Sequence, residues 1–332
     1  MLAPVVTKVL NSKEVLIERV MPVPGQLIVT ENATVVPFDH IGVCNFSQKL
    51  LKLPKHFRPA HFKKPGQFYY TNNLLGKNRR SVISAPYNGH LYAMPDGDFE
   101  FREDPKKYTL LSGVWGKVAK IVDKNAVLIK ADTKDINLVA ATKSYFAGEL
   151  VVFPNPSHLL EKFYLEGFAS GASDGKIIYV GNHVSLSLLK DAVKYGVGGI
   201  VAGSADTETY RFAVSSGVSF GIFGGFGDIA TPDEVYTILN NVPNRYVFFQ
   251  GERNLLRIPM PPEQEVSSIE PNNPKIIAEV EKGMRVLVLQ RPYFGKSGVV
   301  DRVAESSIFV RFSINENPVE VRLPNFFILN NL

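Results

Sequence analysis

The chain has 332 residues, of which 45% are hydrophobic and 21% are charged, and its formal net charge at pH 7 is +5. A chain of this length holds two or three domains, because single hydrophobic cores stop growing near roughly 250–300 residues. The composition excludes a chain that is disordered throughout. The single cysteine, Cys44, excludes an internal disulfide and a cysteine-based zinc site, and it is typical of a reducing compartment.

The sequence lacks the pattern of a signal peptide or of a transmembrane helix. Lys8 follows the first apolar residues, and no apolar run reaches the length that crosses a bilayer. We therefore expect a soluble, cytoplasmic protein that has no membrane partner.

Positive charge is concentrated in one stretch, since residues 40–95 contain no aspartate or glutamate. The nine cations of this stretch are Lys49, Lys52, Lys55, Arg58, Lys63, Lys64, Lys77, Arg79 and Arg80. Charge segregated in this way favours an anionic partner, because a clustered field attracts what a dispersed one does not. A solvated basic face without a partner is the alternative.

Residues 1–156 form a region dominated by β-strand signals, and aromatic residues are interleaved with its cations. These aromatic residues are Phe46, Phe57, Phe62, Phe68, Tyr69 and Tyr70. Cations that neutralise phosphates and aromatic rings that stack on exposed bases together predict a nucleic-acid-binding surface. The alternative is that the rings belong to the hydrophobic core.

Part of this region resembles a biotinyl/lipoyl-type barrel-sandwich hybrid, or β-hammerhead. The resemblance rests on KPGQF at 64–68 and SVISAPYNGHL at 81–91, which match the second half of that fold. Lys77 lies near the position of the family's modified lysine but lacks the flanking methionines. The resemblance therefore implies the fold without a biotinyl or lipoyl group, and we predict no cofactor.

The pattern changes to alternating strands and helices in residues 157–258. Continuous apolar runs at 176–181, 199–203, 219–223 and 245–249 predict four strands, and Ser185, Asp206 and Thr231 are placed to begin the helices between them. Strict alternation of this kind predicts a small α/β domain with a parallel sheet.

Ligands of parallel sheets bind at the carboxyl ends of the strands, so the loops there define a candidate pocket. The residues that we place in it are His183, Ser204, Asp206, Gly225, Asp228, Glu252 and Arg253. The alternative is structural: Asp206 caps its helix, and Arg253 pairs with Glu252 or Asp228.

Familiar catalytic and metal-binding motifs are absent from the sequence. It contains no G-x-S-x-G elbow and no Walker A loop, and four of its six histidines lie in the stretch that lacks carboxylates. We therefore predict neither a catalytic residue nor a metal site.

A proline-rich and acidic linker at 259–276 precedes a C-terminal module at 277–332. Its segment RPYFGKSGVV (291–300) resembles the KOW motif of ribosomal proteins and transcription elongation factors, which implies an SH3-like β-barrel. The residues that we expect to contact a partner are Arg291, Tyr293, Phe294, Lys296 and Arg302.

The order of these parts resembles that of uncharacterised bacterial KOW-domain proteins. The sequence thus predicts a multidomain α+β protein with a β-rich N-terminal hammerhead region, a small parallel α/β domain and a C-terminal SH3-like barrel. Its expected function is non-enzymatic binding of RNA, of the ribosome or of RNA polymerase. The alternatives are a self-assembling scaffold, and a small-molecule-binding enzyme or sensor that uses the α/β pocket.

Overall fold

A computed structural model of the chain describes residues 1–6, 8–47, 49–79, 81–154, 165, 175–262, 277–313 and 316–329. These residues form a β-rich α+β protein of several sheets, in which three α-helices lie within one unit. The predicted class, a β-rich multidomain α+β protein, is confirmed at this level.

The first strands show the period-2 burial of a sheet with one face in the core. In the long strand β2, Ile17 and Arg19 are buried, whereas Leu16, Glu18 and Val20 between and beside them are exposed. The strands up to residue 46 are β1 (Leu2–Val6), β2 (Val9–Val20), β3 (Gln26–Leu27), β4 (Thr34–Val35) and β5 (His40–Phe46).

Residues 49–104 form an inserted unit with two small sheets and a core of its own. Its strands are β6 (Leu50–Lys52), β7 (Arg58–Pro59), β8 (Gln67–Tyr69), β9 (Leu74–Asn78), β10 (Ser81–Ser84), β11 (Gly89–Ala93) and β12 (Phe99–Glu103). They pair in the orders β10-β9-β7 and β6-β12-β11-β8. The buried core between the two sheets consists of Leu53, Phe57, Tyr69, Leu75, Ala85, Leu91 and Phe101.

The chain leaves the inserted unit beside the strand from which it entered. The next strands are β13 (Lys106–Leu111), β14 (Gly116–Val122), β15 (Ala126–Asn137), β16 (Ala140–Ala141) and β17 (Tyr145–Val152). β13 pairs antiparallel with β5, so the unit is attached through two neighbouring strands. β14 and β15 form a hairpin, and β15 also pairs with β2.

Ser185 and Asp206 directly precede the first two helices of the alternating segment, as predicted, but the Asp206 side chain makes no capping hydrogen bond and the third helix begins after Pro232 rather than after Thr231. The elements of this segment are β18 (Lys176–Tyr179), β19 (His183–Val184), α1 (Leu186–Lys194), β20 (Gly199–Ala205), α2 (Thr207–Ser216), β21 (Ser219–Phe226), α3 (Asp233–Asn240), β22 (Tyr246–Gln250) and β23 (Leu255–Pro259). The Ser185 hydroxyl accepts a hydrogen bond from the Leu188 amide at 3.3 Å, which caps α1. Gly217 ends α2 with a φ of +74°, a conformation that glycine adopts without strain.

The sheet of this unit is mixed, and the prediction of four parallel strands is wrong. β17, β18, β20 and β21 are parallel, but β22 runs antiparallel to β17 and returns antiparallel into β23. β23 pairs in turn with β15, so one twelve-stranded sheet joins the N-terminal region to the alternating unit. The division that we expected near residue 156 is therefore not a break in the sheet.

A buried ion pair lies where these two regions join. Asp135 of β15 is directly opposite Arg257 of β23. The Arg257 Nε and Nη2 atoms donate to the two Asp135 carboxylate oxygens at 2.8 and 2.7 Å. Thr133 donates a further hydrogen bond to this carboxylate at 3.0 Å. The side chains of Asp135 and Arg257 are only 5% and 7% exposed.

The C-terminal unit is completed by the first strand of the chain. Its other strands are β24 (Ile277–Glu279), β25 (Arg285–Val288), β26 (Ser297–Val303), β27 (Ser307–Arg311), β28 (Val319–Arg322) and β29 (Phe326–Leu329). β1 lies between β24 and β29, where Val5 is opposite Ile328, and Ala3 is buried in the core of this unit. Residues 263–276 of the expected linker lie outside the described residues.

Candidate functional site

The basic stretch lies on the inserted unit, and its cations are exposed to solvent. The eight that the structure describes are Lys49, Lys52, Lys55, Arg58, Lys63, Lys64, Lys77 and Arg79. Arg80 lies outside the described residues. Within the described part of the chain, no carboxylate is within ion-pair distance of these eight. Their charge is therefore available to an external anion.

Two of these cations face each other across a pair of strands. Arg58 of β7 is directly opposite Lys77 of β9, and Val82 of β10 continues the row as an exposed apolar side chain. Like charges placed directly opposite destabilise a sheet. An anion between Arg58 and Lys77 would relieve this repulsion.

The aromatic residues of the stretch divide between core and surface. Phe57 and Tyr69 are buried in the core of the inserted unit, and Phe62 packs against that core. Phe68 and Tyr70 are 38% and 66% exposed. The core alternative therefore applies to Phe57, Phe62 and Tyr69, and also to Phe46, which packs against the core of the N-terminal region. Only Phe68 and Tyr70 remain available to a ligand.

The exposed rings belong to an aromatic face, formed by Phe68, Tyr70, His90 and Tyr92 on the outer side of β8 and β11. The ring centroids of Phe68 lie 5.0 Å from Tyr70 and 5.1 Å from His90, and those of His90 and Tyr92 are 6.5 Å apart. The Arg102 guanidinium lies 4.9 Å from the centre of the Tyr92 ring. Such a face offers several π-surfaces beside one another.

Sequence reasoning missed His90 and Tyr92, although the signal was present. Gly89 and Leu91 are buried while His90 and Tyr92 point to the other side of β11, which is the alternation of a half-buried strand. Two carboxylates lie beside the face: Glu100 pairs with Arg102 at 3.2 Å, and an Asp104 oxygen lies 3.7 Å from His90 Nδ1.

The residues that we selected in the C-terminal unit have different surroundings. Tyr293 is stacked on Phe312 with ring centroids 4.6 Å apart, and the Arg302 guanidinium lies 3.7 Å from the centre of the Phe309 ring. Arg291, Phe294 and Lys296 are exposed on the loop between β25 and β26. Tyr293 thus supports the loop, while these three remain open to a partner.

In the alternating unit, His183, Ser204 and Asp206 come together at the carboxyl ends of the parallel strands. His183 Nδ1 lies 3.1 Å from the Ser204 hydroxyl, and His183 Nε2 lies 3.8 Å from an Asp206 carboxylate oxygen. Ser204 is fully buried, donates to the Asn182 carbonyl at 2.9 Å and accepts from the Ile229 amide at 3.2 Å. These hydrogen bonds hold the buried Ser204 hydroxyl against the backbone of the neighbouring loops. It is therefore not placed to attack a substrate as a nucleophile.

The C-terminal unit contacts the glycine-rich segment beside this cluster at Ile229. Gly225 lies in β21 opposite Ser204, and Asp228 belongs to the loop that follows this strand. A Cβ built on Gly295 would lie 2.7 Å from Ile229 Cγ2 in the same loop. The Gly295 loop therefore packs directly against Ile229. The loop that carries the predicted C-terminal contact residues therefore touches the loop that carries Asp228 of the predicted pocket.

Glu252 and Arg253 do not join this cluster. Because β22 is antiparallel to its neighbour β17, the residues that follow it lie at the amino ends of the parallel strands. The Gly251 amide donates to Ser144 just before β17, which fixes this position. The predicted convergence of all seven pocket residues is therefore wrong.

Tyr179 connects the end of β18 to the start of α3. Its hydroxyl lies 2.7 Å from the Thr231 hydroxyl, and burial raises the pKa of Tyr179 to about 12. In the unfolded chain a tyrosine titrates near ~10, so the folded pKa is the higher of the two. The stabilisation is then complete below about pH 10 and is lost as the pH rises towards 12.

Between about pH 8 and about pH 11, we expect wild type to lose about 1–1.5 kcal/mol more stability than Tyr179→Phe, because only about half of the full loss occurs below pH 11. Urea unfolding of both proteins at about pH 8 and about pH 11 measures this difference. Because the other tyrosines are the same in both proteins, their contribution to the pH dependence cancels in the comparison. Equal losses in the two proteins would contradict the assignment.

The described ranges hold neither a metal cluster nor a membrane-spanning helix. Across them, no group of three or more His, Cys, Asp or Glu side chains could hold a metal ion. No helix among these residues is long and apolar enough to cross a membrane.

Comparison with known proteins gives little further information. No family model matches the chain, and no curated protein matches it. Among solved structures, a solution NMR structure of a UPF0107 protein aligns with 37% of this chain and 98% of its own, at 15% identity and a TM-score of 0.26. At that score the likeness carries no argument about fold or function.

Proposed function

We propose that the protein is a non-enzymatic nucleic-acid-binding protein whose inserted unit binds single-stranded RNA on the aromatic face. The observation that carries this proposal is the row of Phe68, Tyr70, His90 and Tyr92, in partial or full contact with solvent on one side of a sheet. Unstacked bases bind on such rings, whereas the bases of a duplex are not free to do so.

The cations of the inserted unit supply the contacts to the sugar–phosphate backbone. Lys52 lies on the same outer face as Phe68, and Lys63 and Lys64 precede the strand that carries Phe68. Glu100 lies directly opposite Lys52, but no described carboxylate is within ion-pair distance of these lysines, so RNA is expected to displace mainly solvent and counterions from them. Binding should weaken as salt concentration rises.

The finer fold assignments belong to this proposal. The two small sheets around one core favour a barrel-sandwich hybrid for the inserted unit. The consecutive antiparallel strands β25 to β28 favour a KOW-type SH3-like barrel for the C-terminal unit. In that unit Arg291, Phe294 and Lys296 would provide a second contact, to RNA of the ribosome or of a transcription complex.

Binding of a fluorescent single-stranded RNA, followed by anisotropy, tests the proposal. The double variant Phe68→Ala/Tyr70→Ala should bind about tenfold or more weakly, because base–aromatic stacking contributes about 1–3 kcal/mol per base. Phe38→Ala is the matched control, since Phe38 is exposed but lies outside the inserted unit. Its affinity should equal that of wild type.

The salt dependence separates the roles of rings and cations. Lys52→Gln/Lys63→Gln/Lys64→Gln should reduce the slope of log affinity against log salt by about 0.7 for each phosphate that is no longer neutralised. The aromatic double variant should keep the wild-type slope. Protein freed of bound nucleic acid that binds neither RNA nor DNA at low salt would overturn the proposal.

A further inference from the structure

A cleft of about 890 Å³ opens at the amino ends of the parallel strands, away from the aromatic face. It lies between β2 and the segments that flank β17 and β22. Its wall carries three tyrosines (Tyr108, Tyr145 and Tyr246), three arginines, one lysine and two glutamates.

Arg19 is the buried cation of this cleft. It is only 5% exposed, and its guanidinium packs against two neighbouring aromatic rings, 5.1 Å from the centre of Tyr246 and 5.3 Å from that of Phe248. Its Nε donates to the Leu111 carbonyl at 3.0 Å, and its Nη2 donates to the Tyr246 hydroxyl at 3.0 Å. The rings and these two bonds fix the plane of the guanidinium.

The charge of Arg19 has no counter-ion within the described ranges. The acceptors of its Nε and Nη2 atoms are a carbonyl and a hydroxyl, and no carboxylate of the described residues lies within ion-pair distance. A guanidinium has five N–H donors, and even with the neighbouring Tyr145 hydroxyl as a third acceptor two remain. An uncompensated buried charge is costly to a protein, so an anion from outside would stabilise this site.

The other side chains of the cleft suit an anionic ligand with a flat or apolar part. Lys143 and Arg253 add exposed positive charge at its rim, against Glu18 and Glu252. Arg257 is neutralised by Asp135, so Arg19 supplies the one buried and uncompensated charge among the wall residues.

The tyrosines of the cleft provide both surface and hydrogen-bond donors. Burial raises the pKa of Tyr108, while the positive charge of Arg19 acts in the opposite direction. The Tyr108 hydroxyl therefore stays protonated at neutral pH. The Tyr246 hydroxyl accepts a hydrogen bond from Arg19 and donates one to the Ala147 carbonyl at 3.1 Å. These two bonds hold the Arg19 guanidinium in place.

We infer that this cleft binds a small molecule carrying a carboxylate or phosphate group, with the oxyanion on the Arg19 guanidinium. The planar fork of arginine matches both groups through two parallel hydrogen bonds. The site is separate from the aromatic face, so its existence does not depend on RNA binding.

Titration with inorganic phosphate and, separately, with acetate tests the inference. Each anion is added at constant ionic strength, and the backbone amide resonances of cleft residues such as Gly251, which are present in wild type and in every variant, are followed by NMR. Saturable shifts in wild type are expected, and the tighter of the two anions identifies the ligand group. Arg19→Lys keeps the positive charge but loses the planar guanidinium that donates two parallel hydrogen bonds. The affinity of this variant for the tighter anion should therefore fall about tenfold or more.

Two exposed variants keep the test decisive if Arg19→Lys folds poorly. Lys143→Gln/Arg253→Gln should weaken binding by about two- to fivefold through the rim charge. Lys124→Gln removes an exposed cation that does not line the cleft and should bind as wild type does. Absence of saturable binding of either anion up to ~10 mM in folded wild type would overturn the inference.

Discussion

Replacing Asp135 by alanine is expected to lower the free energy of unfolding by about 3–5 kcal/mol. The substitution leaves the buried Arg257 guanidinium without the carboxylate that accepts its two hydrogen bonds, at 2.8 and 2.7 Å. It also removes the acceptor of the Thr133 hydroxyl. Urea unfolding at neutral pH, followed by circular dichroism, measures the loss.

Two controls show whether the loss of stability comes from the burial of the unpaired charge or from the loss of an ion pair alone. Asp301→Ala breaks the more exposed pair with Arg311 and should cost no more than about 1 kcal/mol. Asp135→Leu/Arg257→Met removes both charges and should recover most of the loss, because a buried pair contributes little over apolar packing. A cost for Asp135→Ala as small as that for Asp301→Ala would show that the pair is solvated in solution.

Replacing Phe101 by alanine is expected to unfold the inserted unit while the rest of the chain stays folded. Phe101 is fully buried between the two small sheets and stacks on Tyr87 with ring centroids 5.4 Å apart. Truncation of a buried phenylalanine costs about 3–5 kcal/mol. A unit with so small a core has little stability to lose, because few residues bury their surface in it.

Hydrogen exchange localises this effect. Amides of β11 and β12 should lose protection in Phe101→Ala, whereas those of β15 and β20 in the twelve-stranded sheet should keep it. Phe68→Ala removes an exposed ring of the same unit and should leave the protection unchanged. Loss of protection throughout the chain would mean that the inserted unit does not fold independently.

The elements of the alternating unit could be predicted because their signals are local. Ser185 caps its helix and Gly217 ends the next one through interactions within a few residues. The direction of β22 could not be predicted, because a continuous apolar run looks the same in a parallel or an antiparallel sheet. Its direction is set by pairing with β17, about 100 residues earlier in the chain.

The candidate sites show the same division. Exposure of His90 and Tyr92 follows from alternation around the buried Leu91, so the aromatic face was within reach of sequence reasoning. The cleft at Arg19 was not, since no motif surrounds this residue. Its burial depends on Tyr246 and Phe248, which are brought to it by the fold of the whole sheet.

The place of β1 between β24 and β29 has a consequence for the order in which the protein matures. The strand that contains Ala3 and Val5 emerges from the ribosome long before Ile328 is synthesised. β1 therefore has no partner strand while most of the chain is being made. Its exposed backbone is available to chaperones or to neighbouring copies during this interval. The C-terminal unit can thus complete its sheet only late, after both distant segments of the chain have been synthesised.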